Sequence, residues 1–292
     1  MQPSRLPMSR LLRVPAFVRW GIRIDTAPDW LWLALLAAAL WPTWLWMGRR
    51  LLDGSDDPLG LLALAALGLL AWRWRHRLRA APRLGWLATA LTAAVLATVT
   101  QGALPPLAVA LCALLALAAG LAAFLPVVVP TAPVLLLSVL SLPLLASLQF
   151  YLGYPLRLAT AEASRWLLQW AYTVERAGAS LRIDGRLVIV DAPCSGVQMA
   201  WFGYFTACVV ALVLARGNRA FLQRLPLVSL LVLGGNIVRN TVLVAAEGAG
   251  RHLPGWAHEA VGLVVLAAVC AAIGACMARH EAASRDPGAR HV

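Results

Sequence analysis

The sequence predicts an all-α, polytopic membrane protein. Of its 292 residues, 61% are hydrophobic and only 13% are charged, which is too apolar for a soluble domain. Several segments approach or exceed the roughly 18 apolar residues that indicate a transmembrane helix. The net charge is +12 and all 25 basic residues are Arg, but the Arg clusters flank apolar segments, as the positive-inside rule describes. We therefore expect the chain to have the lipid bilayer as its partner, and not nucleic acid.

Eight segments have the composition of a membrane span. They cover residues 30–47, 59–72, 84–100, 106–124, 127–150, 197–215, 225–246 and 258–277. Pro42 lies inside the first of them, where a proline ring favours a kink. The sequence therefore predicts about eight transmembrane helices.

An even number of spans puts both termini on the same side of the membrane. Residues 1–28 contain five Arg and no sustained apolar core, so we expect a cytoplasmic N-terminal segment and no cleavable signal peptide. Five Arg lie in the loop 73–83 and three in the loop 216–224, which places these loops in the cytoplasm too. Residues 29–278 then form one transmembrane domain, and 279–292 form a cytoplasmic tail.

A segment before the sixth span, residues 151–195, has a different character. Residues 159–175 predict an amphipathic helix, with Trp166 and Trp170 on its apolar face. Residues 180–190 predict a β-hairpin, because Asp184 and Gly185 form a strong turn signal between β-rich runs. We expect a small extracytoplasmic insert made of one helix and this hairpin.

Cys194 is the first candidate for chemistry. The other four cysteines, at 112, 208, 270 and 276, fall inside apolar spans, whereas Cys194 lies at an aqueous edge within Pro193-Cys194-Ser195-Gly196. A helix N-terminus lowers the pKa of a thiol and favours the nucleophilic thiolate, and Gly196 allows a substrate backbone to approach. A buried structural cysteine beside a turn is the alternative interpretation.

Arg239 is the second candidate, because it interrupts an apolar helix. Burying an Arg in a membrane costs about 2.5–3.5 kcal/mol on insertion scales, and such residues usually mark function. Asn236, Arg239 and Asn240 stand at i, i+3 and i+4 and so share one helix face. The guanidinium is expected to stabilise an oxyanion or to hold a substrate carbonyl. A polar clamp between helices is the alternative.

His258 is the third candidate, at the start of the last span. Gly262 follows one turn later on the same face. An imidazole in this place can act as general base and acid, although a His at a helix start can also be a simple interface residue. His252 is the nearest competitor, and Glu259 is a candidate orienting partner on another face.

The direction of the spans brings these three residues to one layer. The sixth and eighth spans both run inward, so Cys194 and His258 lie at the outer face. The seventh span runs outward, and Arg239 lies about 10 Å below its outer end at the 1.5 Å rise of a helix. A thiolate, a base and a cation match nucleophilic acyl transfer. No spacing of Cys and His predicts a zinc site, and no organic cofactor is indicated.

Three short motifs in this order resemble the exosortase/archaeosortase family. They are Pro193-Cys194-Ser195-Gly196, Asn236-x-x-Arg239 and His258-x-x-x-Gly262. The resemblance covers residues 125–277 and implies a cysteine protease or transpeptidase of the bacterial inner membrane, with Cys194, Arg239 and His258 catalytic on the periplasmic side. It implies as substrates secreted proteins with a C-terminal sorting signal of the Pro-Glu-Pro type, in systems associated with exopolysaccharide. Hydrolysis and transfer to a surface acceptor both stay open.

Two other functions fit parts of the sequence. In a transporter or polymer-export component, Arg239 and the two Asn side chains would line a path for an anionic substrate. In a membrane scaffold, the same polar stripe would only hold helices together. The transporter requires Arg239 but not Cys194, which separates it from the transpeptidase.

Overall fold

The computed structural model describes residues 29–52, 54, 57–189, 196–250 and 254–279. Ten helices and three strands lie within these residues. The helices are α1 (Asp29–Ala39), α2 (Trp41–Leu52), α3 (Gly60–Trp74), α4 (Leu84–Val99), α5 (Pro106–Phe124), α6 (Thr131–Leu140), α7 (Leu145–Leu168), α8 (Val197–Val213), α9 (Asn218–Gly248) and α10 (Gly255–Ala278). The strands are β1 (Val174–Ala177), β2 (Ser180–Ile183) and β3 (Arg186–Ile189), between α7 and α8. The predicted N-terminal segment 1–28 and the tail from residue 280 onward lie outside the described residues.

Three of these helices, α5, α9 and α10, are long and apolar enough to cross a membrane alone. Two bent pairs, α1 with α2 and α6 with α7, raise this number to five if each pair is one span. The apolar helices α3, α4 and α8 have 15, 16 and 17 residues, shorter than the roughly 20 that a 30 Å hydrocarbon core requires. The chain is therefore a multi-pass, mostly helical membrane protein, and the count of eight spans stays a prediction.

Two of the predicted spans are bent rather than straight. The first breaks at Leu40 with an angle of 66°, and the fifth breaks between α6 and α7 with an angle of 90°. Pro42 and Pro143 lie next to the two breaks. Since proline has no amide hydrogen and its ring clashes with the preceding turn, it explains why an apolar segment changes direction there.

The prediction of an amphipathic helix over residues 159–175 was wrong at both ends. The helix α7 is continuous from Leu145 to Leu168, through Pro155, and it ends seven residues before Glu175. Residues Val174–Ala177 form β1, a strand that the sequence analysis did not predict. The strand obtains its backbone hydrogen bonds from pairing with β2, which a local pattern cannot show.

The three strands form an antiparallel sheet in the order β1-β2-β3. Ile183 pairs with Arg186 across a two-residue turn, in which Asp184 and Gly185 have φ values of 46° and 85°. Two positive φ values are the mark of a type I′ hairpin turn. The backbone N–H of Thr173 also donates to Oδ1 of Asp184 at 3.1 Å, so the turn is tied to the chain that precedes β1.

One face of the sheet packs on α7 and α9. The buried residues of this cluster come from all three elements: Ala161, Leu168, Leu181, Ile183, Val188 and Val244. Gly248, the last residue of α9, lies under Ile183, where an added Cβ would be 2.8 Å from the Ile183 Cγ2 atom. The sheet therefore covers the C-terminal end of α9.

Hydrogen bonds near the helix termini show which termini lie at the same end of the molecule. At one end, the Gln198 amide donates to the Asp57 carboxylate at 2.8 Å, next to the start of α8. At the other end, the Asn218 side chain accepts from the Ala132 backbone and the Arg79 N–H donates to the Phe124 carbonyl. Five Arg of the loop that begins at Arg73 and three more around α9's first turns belong to this second end, which we call the arginine-rich end.

Candidate functional site

The N-terminus of α8 packs directly on α9. Gly196, the residue before the helix, has φ +86°, a left-handed conformation that side chains rarely adopt. An added Cβ there would lie 2.8 Å from both Cγ and Nδ2 of Asn236. Both the backbone conformation and the close approach therefore require glycine, and they bring the residue that precedes α8 into contact with α9.

Asn236 also joins α9 to α7. Its Nδ2 donates to Oγ1 of Thr160 at 3.2 Å, and the hydroxyls of Thr241 and Ser164 are hydrogen-bonded at 3.1 Å further along the same seam. Asn236 and Asn240 are only 1% and 2% exposed. Because a buried amide without a partner is costly, this seam gives Asn236 a structural role.

Arg239 lies on the same helix face and contacts α10. It is partly buried, and its side chain lies against Gly262, where an added Cβ would be 3.2 Å from Nε and 3.4 Å from Cζ. Nine residues separate it from Gly248, so it lies about 14 Å below the helix end, deeper than the 10 Å expected from the sequence. Gly262 thus forms a notch that admits the guanidinium between the two helices.

His258 lies in the first turn of α10 and is partly buried. It precedes Gly262 by four residues, which puts it on the same face, about 6 Å along the axis from the Arg239 notch. Glu259 is exposed and its neighbouring position turns it about 100° away around the helix. The competitor His252 lies outside the described residues.

Two contacts thus connect predicted site positions across three helices. The contact of Gly196 with Asn236 joins α8 to α9, and the contact of Arg239 with Gly262 joins α9 to α10. His258 is one turn away from the second contact. Cys194 and Ser195, which complete the predicted site, lie outside the described residues.

The hydrogen bond between Gln198 and Asp57 was missed by sequence reasoning. It connects the first turn of α8 to the loop after α2, across 141 positions of the chain. A run of three Asp residues at 53, 56 and 57 was the only available signal, and its composition does not indicate which helix it meets. Asp57 therefore lies at the same end as Gly196.

Among the described residues, no group of three or more His, Cys, Asp or Glu side chains could hold a metal ion. What the site offers is a cation at Arg239, an imidazole at His258, and the close approach of the α8 N-terminus. These groups suit electrostatic stabilisation and proton transfer.

The molecule is a multi-pass membrane protein whose polar residues gather where three helices meet near one end. The match to known proteins defines it further: residues 51–275 fit the model of the transmembrane exosortase family, and the chain belongs to that family. This range includes positions 194, 239 and 258. No curated protein and no solved structure matches the chain.

Proposed function

We propose that the protein is an integral-membrane cysteine protease or transpeptidase that cleaves a C-terminal sorting signal of secreted proteins. Family membership supports the class of reaction. The observation that supports the site is the pair of contacts that join three helices, Gly196 to Asn236 and Arg239 to Gly262. These contacts support a site in which the cation of α9 acts together with Cys194 and His258.

Cys194 is the proposed nucleophile. It precedes Gly196 by two residues, and two residues of chain span at most about 7 Å. Gly196 is in contact with Asn236, one turn from Arg239. The covalent chain therefore keeps the thiol within reach of the polar face of α9.

The proposed reaction has two steps, formation of a thioester with Cys194 and its breakdown. The thiolate of Cys194 attacks the carbonyl carbon of the scissile peptide, and the C–N bond breaks as the amine leaves with a proton from the His258 imidazolium. Water or an acceptor amine then attacks the thioester, gives its proton to His258, and releases the thiolate. Transfer to an acceptor and hydrolysis differ only in this second nucleophile.

Arg239 is proposed to stabilise the oxyanion of each tetrahedral intermediate. A preorganised donor in a water-poor site has this effect at no reorganisation cost during the reaction, and removing one such donor typically lowers kcat by about 10²–10³. The notch at Gly262 holds the guanidinium in place. Asn236 and Asn240 support the arginine by fixing the face of α9 on which it lies.

The membrane arrangement is part of the proposal. We propose eight spans in a bacterial inner membrane with both termini cytoplasmic, the sheet and the end of α7 on the periplasmic side, and the site facing the periplasm. The eight Arg of the two short loops at the opposite end support this orientation by the positive-inside rule, whereas the five Arg of residues 151–195 lie in a longer segment, where the rule is weaker. The substrate is a secreted protein with a sorting signal of the Pro-Glu-Pro type, cut at the outer face.

The test is processing of a co-produced substrate that carries a C-terminal sorting signal. Cys194→Ala is expected to abolish processing while the protein still accumulates in the membrane. Cys276→Ala is the matched control, because this cysteine lies near the other end of the last helix, and processing should continue at the normal rate. Processing by the Cys194→Ala variant would exclude the thiol mechanism.

Thiol labelling of intact spheroplasts gives a second measurement. A membrane-impermeant reagent should label Cys194 rapidly, and labelling should slow in His258→Ala and Arg239→Ala, because both groups favour the thiolate. If Cys194 stays unlabelled where an engineered outer-loop cysteine reacts, the thiol is inert. A requirement for Arg239 without a requirement for Cys194 would then favour a transport function.

A further inference from the structure

A groove runs between α9 and α10 at the arginine-rich end, far from the candidate site. Leu227 and Leu231 of α9 line one wall, and Ala272 and Ala275 of α10 line the other. The groove has a volume of about 450 Å³, which is within the ~300–1,000 Å³ range of small-molecule sites. The lining residues recur at helical spacing on both helices, so the groove is a continuous feature of the helix pair.

Two guanidinium groups lie at one end of this groove. Nη2 of Arg224 donates to the carbonyl of Arg279 at 2.8 Å, which fixes Arg224 beside the C-terminus of α10. Its Nη1 is shielded from solvent and has no acceptor among the described residues. Within the same residues, neither Arg224 nor Arg279 forms an ion pair with a carboxylate. The end of the groove therefore has two positive charges and a spare donor.

The rest of the groove is apolar and open. Leu227 is about half exposed, and the small side chains of Ala272 and Ala275 leave the space between the helices unfilled. A ligand that fits this shape has an anionic head and a long apolar chain. A free phosphate would use only the charged end and would leave the apolar walls uncovered.

We propose that the groove binds an anionic phospholipid. Its phosphate lies between Arg224 and Arg279, and one acyl chain follows the leucine and alanine walls. The position suits such a lipid, because basic residues beside membrane helices attract the anionic lipids of the cytoplasmic leaflet. The inference does not depend on the protease chemistry, since the groove lies at the other end of α9 from Arg239.

Native mass spectrometry of the full-length, delipidated protein tests this directly. With equal amounts of phosphatidylglycerol and phosphatidylcholine, we expect retention to favour phosphatidylglycerol by roughly 25-fold, from two arginines at about fivefold each. Arg224→Gln and Arg279→Gln should each lower that preference about fivefold. Arg75→Gln is the control, because it removes the same charge at the same end but outside the groove.

Two further measurements distinguish binding of the head group alone from binding of the whole lipid. Ala275→Phe fills the groove and leaves every charge in place, so it should lower phosphatidylglycerol retention even if an arginine variant does not fold. Glycerol phosphate should fail to displace the lipid at concentrations where short-chain phosphatidylglycerol succeeds. Any of four results would overturn the proposal. They are equal retention of both lipids, a loss of preference in Arg75→Gln as large as in the groove variants, full phosphatidylglycerol retention in Ala275→Phe, and displacement of the lipid by glycerol phosphate.

Discussion

Replacing Gly262 with alanine separates the proposed catalytic role of Arg239 from its role in packing. The new Cβ would lie 3.2 Å from Nε and 3.4 Å from both Cζ and Nη2 of Arg239. These distances are tighter than ordinary contact, so the guanidinium must move by a few tenths of an ångström. Alanine also favours the helix by about 0.5–1 kcal/mol over glycine, which offsets the crowding. We therefore expect the free energy of unfolding to change by less than about 1 kcal/mol.

The same movement should lower activity. A misplacement of 1 Å in a catalytic group can cost about 100-fold, so a few tenths of an ångström should cost about three- to tenfold. The assay is the half-life of a radiolabelled precursor in a pulse–chase experiment, with thermal denaturation of the solubilised protein measured in parallel. The expected result is slower processing by a protein of normal stability.

Gly274 supplies the matched control for this experiment. It lies in the same helix, and an added Cβ there meets nothing within 4 Å. Gly274→Ala should gain the same helix propensity and keep normal processing. If both variants process normally, the position of Arg239 does not limit the reaction, and if both slow equally, the effect belongs to the helix and not to the notch.

Three other predictions follow from the same contacts. Gly196→Ala should destabilise the protein by about 2–4 kcal/mol in thermal denaturation, because alanine disfavours the left-handed backbone and its Cβ would overlap Asn236. Gly102→Ala is the control: Gly102 has φ +82° but open space around it, so this variant should show only the cost of the backbone conformation. In a double-mutant cycle, Asn236→Ala and Thr160→Val should couple by about 0.5–1.5 kcal/mol; additive effects would mean that the hydrogen bond contributes nothing. Arg239→Lys should lower processing by roughly 100-fold or more at normal membrane levels, and near-normal processing would show that a point charge is sufficient.

Hydropathy located the helices well, because a chain in lipid must satisfy its backbone hydrogen bonds internally and does so most simply as a helix. Every apolar segment found in the sequence contains a helix or a bent pair of helices in the structure. Hydropathy reports composition, however, and does not report direction. The 90° bend between α6 and α7 leaves the composition of the segment unchanged, so it could not be read from the apolar pattern.

The β1 strand and the end of α7 show a second limit. The sequence from Ala159 onward is amphipathic with helical spacing, and this pattern continues past Leu168 into residues that the structure uses otherwise. Val174–Ala177 becomes a strand because β2 offers it a partner. Pairing of this kind is a tertiary effect that overrides local preference, whereas the Asp184-Gly185 turn is local and was visible.

In the candidate site, too, local geometry was predictable from the sequence and tertiary contacts were not. Periodicity was enough to place Asn236, Arg239 and Asn240 on one face, because it requires only helix geometry. The partners of that face, Thr160 on α7 and Gly262 on α10, depend on how three helices cross. Thr160 gave no signal, since a threonine in an apolar helix can always bond to its own backbone.

The position of the sheet gives a physical reason for an insert directly before Cys194. Ile183 of the sheet packs on Gly248 at the end of α9, and Gly196 packs on Asn236 of the same helix. These two anchor points are twelve residues apart on α9, about 18 Å. Both anchor points thus lie on the helix that carries Arg239. Loosening either anchor is therefore expected to slow the proposed acylation step even when Cys194, Arg239 and His258 are unchanged, and the pulse–chase assay measures this.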